Sequence, residues 1–158
     1  MKREIVRREA AVRACLKRFA GKQMQPGVAD CVKLAAHSMH KMGVAVPLLK
    51  GVRYRSELGA AKALKDKGFA DLAEAMDALG FVRIAPAMAW PADIVAGRSR
   101  EDGPFSYALS VVHEYGAART IAFGPDGKCS VGIPDLSHPD TVAWRITHAN
   151  GSSSLGSR

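Results

Sequence analysis

The sequence predicts an α+β domain in which an N-terminal helical layer packs on a C-terminal antiparallel β-sheet. Three observations carry this. Apolar residues recur at helical spacing in the first half of the chain, from about residue 2 to residue 79. From Phe81 the pattern changes to period two and to β-branched and aromatic residues. The connections in that second half are of hairpin length, and helices first, strands second is the order of an α+β domain.

The first helix is expected over residues 2–20. Ile5, Val12, Leu16 and Phe19 fall on one stripe with Cys15 beside it, arginines occupy the rest, and Gly21 ends it. Lys22 to Gly27 connects it to the stretch around which the chain is organised, Pro26 to Gly43, PGVADCVKLAAHSMHKMG. Here Cys31, Leu34, Ala35, Ser38, Met39 and Met42 form a single stripe, with Lys33, His37, His40 and Lys41 opposite. Asp30 caps this helix, Pro26 and Gly27 turn the chain into it, and Gly43 stops it. The following VAVPLLKGVRYRS is irregular, because Pro47 and Gly51 interrupt a helix.

Ser56 opens a helix to about Lys67, with Leu58, Ala61 and Leu64 as inner positions and Gly68 as its stop. Asp71 and Glu74 form a capping-box pattern ahead of Leu72, Ala75, Met76 and Leu79, closed by Gly80. Strands are expected at Val82 to Ile84, Asp93 to Ala96, Tyr107 to Glu114, Arg119 to Phe123, Cys129 to Ile133 and Val142 to Thr147. Gly124-Pro125-Asp126-Gly127 is a turn between two of them, and Arg98 to Pro104 is a loop. Residues 1–148 thus read as one domain, and residues 149–158 as a flexible Gly/Ser tail.

Composition narrows the function classes. A chain of 158 residues with 47% hydrophobic residues can bury one core without staples. It contains no apolar run of the length a membrane helix needs. Its N-terminus lacks a signal peptide's apolar centre, so synthesis in the cytoplasm is expected. Cys15, Cys31 and Cys129 are odd in number and show no CxxC or Cys/His ligand spacing, which argues for reduced thiols and against a structural zinc. His37 and His40, one turn apart beside lysines, read as a solvated helix face. With no Walker loop and no dinucleotide fingerprint, no cofactor is expected.

The net charge is +8, and residues 1–22 hold eight basic side chains against Glu4 and Glu9. Such a basic amphipathic helix can meet nucleic acid, an anionic envelope polymer or an acidic protein, and its simplest reading is a solvated face. Nucleic acid is the disfavoured partner, since the chain shows no helix-turn-helix, zinc-finger or RNA-binding signature.

Cys31 has two readings. Helix N-terminal N–H groups stabilise a thiolate and make a nucleophile; burial does the reverse and makes the thiol a small core hydrophobe.

A cysteine at the start of a buried helix followed by an antiparallel sheet is the order of parts in papain-like cysteine peptidases. Two local patterns narrow this. Gly27 to Leu34, GVADCVKL, and Pro91 to Val95, PADIV, resemble the Asp-Cys helix start and the Pro-Gly-Asp-aliphatic lead into the sheet of the NlpC/P60 family, in particular its uncharacterised members from phage and prophage tail gene clusters. The resemblance spans about residues 20–147.

It implies a papain-like fold, Cys31 as nucleophile with Asp30 as the helix cap beside it, and a histidine base. Where the family's histidine begins a strand, FSYALSVV has Tyr107 or Ala108. His113, about five residues later, is the base candidate, followed by His138 and His148. Val32 replaces a small polar residue after the cysteine, and Ala92 replaces the glycine before Asp93. The resemblance therefore implies a tail-associated protein, at a tail tip or hub or in tail assembly, that keeps the fold as a structural part. The alternatives are a cysteine peptidase or amidase acting on peptidoglycan stem peptides, and non-specific nucleic-acid binding. Partners implied are other tail proteins and peptidoglycan.

Overall fold

The computed structural model describes residues 2–44, 51–99 and 103–147. His148, the tail beyond it, the stretch around Pro47 and the middle of the loop from Arg98 to Pro104 lie outside the described residues. Four helices precede the sheet: α1 (Lys2–Phe19), α2 (Cys31–Lys41), α3 (Glu57–Asp66) and α4 (Leu72–Ala78). Six strands follow: β1 (Val82–Ile84), β2 (Ile94–Arg98), β3 (Tyr107–Val112), β4 (Thr120–Phe123), β5 (Cys129–Gly132) and β6 (Val142–Arg145). They form one sheet in the order β1-β6-β2-β3-β4-β5, with every neighbouring pair antiparallel. The chain is thus mixed α+β.

The caps form as their residue types dictate. The Asp30, Ser56 and Asp71 side chains accept from the backbone N–H groups of Lys33, Gly59 and Glu74. Glu74 reaches back to the N–H of Ala70, one residue before the cap. Gly43 ends α2 with φ +82°, and the Val44 N–H returns to the Met39 carbonyl.

The alternation of the strands sorts the sheet into two faces. Ile94, Ala96, Leu109, Val111, Ile121 and Trp144 join the helices in the main core, where Leu34, Ala35 and Met39 of α2 and its C-cap Met42 are fully buried. Val95, Val112 and Ala143 point the other way and meet Ala89 and Ala117 in a smaller cluster. The Trp144 indole N–H donates to Asp77, whose carboxylate also takes Arg83 of β1, so the end of α4 is tied to the sheet edge.

Three helix positions differ from the stripe the sequence suggests. Leu58 is 74% exposed, because α3 packs through Ala60 and Leu64 and a residue two before Ala60 lies about 200° around the helix. Ile5 is 36% exposed. In its place Arg8, expected on the solvated side, is only 2% exposed and sits on the stripe with Val12, Cys15 and Phe19.

Arg8 is buried because its charge is matched. Its guanidinium donates to Asp93 Oδ1 at 2.9 Å, to the Pro91 carbonyl at 2.9 Å, to the Ile146 carbonyl, and to Glu4 one turn back at 2.8 Å. Asp93 is fully buried and accepts four bonds. Oδ1 takes Arg8 and the Ile146 N–H, and Oδ2 takes the Trp90 N–H and Arg145 Nε. The Arg145 guanidinium lies 3.5 Å from the Trp90 ring centroid and also reaches the Met88 carbonyl. Two cations thus meet two carboxylates, and the network joins α1, the turn before β2, and β6.

That turn runs from Trp90 to Asp93, closed by the Asp93 N–H on the Trp90 carbonyl, with Pro91 and Ala92 at its centre. Ala92 has φ +73° and is fully buried. This is the third position of a type II turn, which favours glycine, so Ala92 holds a backbone conformation unusual for a residue with a side chain.

Removing one member of a buried, matched charge set leaves the others uncompensated. Asp93→Ala is expected to cost about 3–5 kcal/mol in urea unfolding. Arg13→Ala, which breaks an exposed pair at 4.0 Å, should cost less than about 1 kcal/mol. Equal losses would contradict a buried network that organises the fold.

Candidate thiol site at the start of the second helix

The loop before α2 is shaped by Gly27. Its φ is +85°, and a Cβ there would lie 2.2 Å from the Tyr54 carbonyl oxygen, so only glycine fits. The close approach places Asp30 among three donors: the Gly27 N–H at 2.8 Å, the Lys33 N–H at 2.8 Å and the Tyr54 hydroxyl at 2.7 Å. Both carboxylate oxygens are therefore occupied in holding the loop, the helix start and Tyr54 together. Burial and the Asp30 carboxylate push the Tyr54 phenol well above its ordinary pKa, so it stays a neutral donor.

Cys31 follows as the first residue of α2, half-buried and packed against the main core. Burial pushes its thiol up to about 11, and the nearby charges of Asp30 and Glu57 push the same way. The backbone N–H of Leu109 on β3 and the helix's own N–H at Cys31 oppose them without prevailing. Helix-start donors are present here, but desolvation and negative neighbours outweigh them. At pH 7 the thiol is therefore protonated.

The histidines stand elsewhere. β3 ends at Val112, where the N–H groups of His113 and Glu114 both turn to the Arg119 carbonyl. His113 lies four residues beyond Leu109 along that line, about 13 Å at strand rise. Its Nδ1 is 3.7 Å from Glu114 Oε2, a carboxylate that also meets Arg119. His138 accepts the Asp140 N–H at 3.1 Å and borders an open cavity of about 410 Å³ with Arg98, Ser99, Phe105 and Ser106. His37 packs edge-on to Phe19, and burial together with Arg18 holds its pKa below the usual histidine value. The groups acting on the Cys31 thiol include Leu109, Asp30 and Glu57. Asp30 and Cys31 are adjacent at the start of α2, while His113 follows the end of β3 and faces Glu114.

Sequence reasoning missed Tyr54 and Arg8. Tyr54 carried no signal, because its partner Asp30 is 24 residues away. Arg8 did carry one. It falls at i, i+4, i+7 and i+11 with Val12, Cys15 and Phe19, and a charge on an apolar stripe with an acid one turn back marks a buried ion pair.

No group of three or more histidine, cysteine or carboxylate side chains able to hold a metal occurs among the described residues. Likewise, no described helix is long and apolar enough to cross a membrane.

The thiols set an alkaline limit. Cys15, Cys31 and Cys129 are each pushed up to about 11 by burial. The folded state holds these protons more tightly than the unfolded chain, where cysteine titrates near about 8.5. Their contribution is fully present at neutral pH and is lost as pH rises from about 8.5 towards 11. For fully buried Cys15 and Cys129 the loss is roughly 3 kcal/mol each. Urea midpoints should fall over that window and fall less steeply in a Cys15→Ala/Cys129→Ala variant. Parallel profiles would contradict the assignment.

No curated protein and no solved structure matched the chain. A family model did match, over residues 4–146, covering both the helical layer and the whole sheet. The chain belongs to that family, described as a domain of unknown function, DUF6950.

Proposed function

We propose that this chain is a structural, non-catalytic version of the papain-like NlpC/P60 architecture, serving as a component of a phage or prophage tail. The observation that carries the reading is the state of Cys31. It occupies the helix start expected of the nucleophile, yet its thiol is raised to about 11 and the groups around it are acidic or backbone. A nucleophilic cysteine needs the reverse, a lowered pKa or an adjacent base.

Two local features support the architectural half of the reading. The Asp30-Cys31 helix start packs on β3 through Leu109, and Pro91-Ala92-Asp93 leads into β2 with Ala92 in the conformation that the family's glycine supplies. The tail association rests on the sequence resemblance alone.

The second reading, a peptidase or amidase acting on peptidoglycan stem peptides, draws on one observation. Cys31 retains partial exposure at the end of a helix dipole, where the Leu109 backbone favours the thiolate. The two readings separate on substitution of Cys31 in the phage or prophage that encodes the chain. Cys31→Ala should leave particle yield and infectivity within about twofold of wild type, while Gly27→Val, which the Tyr54 carbonyl cannot accommodate, should abolish assembly. Intact particles of the Cys31→Ala variant that lose infectivity and stem-peptide cleavage would overturn the structural reading in favour of the enzyme.

A further inference from the structure

The exposed face of α1 is more cationic than the chain's composition suggests. Arg8 turns inward and takes Glu4 with it, so this face retains Lys2, Arg3, Arg7, Arg13, Lys17 and Arg18 against Glu9, which lies 4.0 Å from Arg13. The charge continues onto the neighbouring helix, where Arg18 meets His37 at 3.2 Å and Lys41 is exposed.

Two properties distinguish this face from an ordinary solvated helix. Arg3 and Arg7, and Arg13 and Lys17, are like charges at i, i+4, a spacing that destabilises an isolated helix by a few tenths of a kcal/mol per pair. Among these cations sits Val6, 56% exposed, with exposed Ala10 one turn further on. An apolar centre inside a charged rim is the anatomy of a protein interface. A phosphate backbone would use the cations and leave the apolar centre without a partner.

The geometry points to the outer face of α1 as a docking surface for a partner protein that presents an amphipathic helix with an apolar stripe flanked by carboxylates. Its carboxylates meet the two i, i+4 cation pairs and relieve their repulsion, while its apolar stripe covers Val6 and Ala10. This assignment is independent of the thiol and of the catalytic question.

The test is binding of the full chain to three probes: a synthetic amphipathic peptide with leucine on one helical face and glutamate on both flanks, polyglutamate of the same length, and a short DNA duplex. The amphipathic peptide should bind at least about tenfold more tightly than either other probe at near-physiological salt. Arg3→Glu/Arg7→Glu should weaken its binding at least about tenfold, as should Val6→Asp, while Lys62→Glu/Lys65→Glu on α3 changes it less than about twofold. Arg3 lies in the first turn of α1, where an acid is tolerated, and Arg7 is exposed, so loss of binding is separable from loss of fold by circular dichroism. Equal loss in the α3 variant would reduce the effect to net charge and overturn the proposal. Equal binding of polyglutamate would remove the apolar centre, and tighter binding of the duplex would make the surface a nucleic-acid site; either result also overturns it.

Discussion

The carboxylate of Asp93 is the constraint on which the rest of the molecule depends. A fully buried carboxylate is costly unless every acceptor position is used and the charge is matched. Both conditions are met. Arg8 from α1, Arg145 from β6 and the backbone N–H groups of Trp90 and Ile146 fill its two oxygens, and Glu4, bonded to Arg8, supplies the second negative charge. The partners lie far apart in sequence, so the network forms only when the first helix, the turn before β2 and the last strand are all in place. It therefore selects one arrangement of helical layer on sheet from the many that hydrophobic burial alone would allow.

The candidate site inherits its environment from that arrangement. Once β2 is anchored by the Asp93 turn, β3 is registered against it, with Ala96 opposite Leu109. Leu109 is the sheet residue whose backbone lowers the Cys31 thiol pKa, against the larger effect of burial. From the loop side, Gly27 allows Tyr54 to close on Asp30, which places a negative charge beside the thiol and commits both oxygens of that carboxylate to structure. The features that would let the helix start activate a cysteine are therefore present in outline and offset in effect. Desolvation and like-signed neighbours outweigh two backbone donors, and the chemistry follows from that balance.

Local physics was legible in the sequence and long-range pairing was not. Helix caps at Asp30, Ser56 and Asp71 are decided within four residues, and each forms as its sequence pattern requires. All six strands occur, because alternation and the Gly124 to Gly127 turn are also local signals. Leu58 and Ile5 failed as inner positions because periodicity names a stripe without saying which arc of it the neighbours cover. Arg8 was assigned to solvent by its charge, although its position on the stripe already demanded a buried partner, and that partner is 85 residues away in the chain. His113 lies close in sequence to the place where a base would stand. A strand converts four residues into about 13 Å, which one-dimensional proximity conceals.

Cys31, with its thiol raised by burial, is read as a protonated packing group. The most direct measurement is the rate of Cys31 alkylation by iodoacetamide against pH, in the Cys15→Ala/Cys129→Ala background. A protonated, packed thiol reacts slowly at neutral pH and shows an inflection near 11 that His113→Ala leaves unchanged. An inflection below the free-cysteine value of about 8.5 that disappears with His113→Ala would contradict it and establish an activated thiolate.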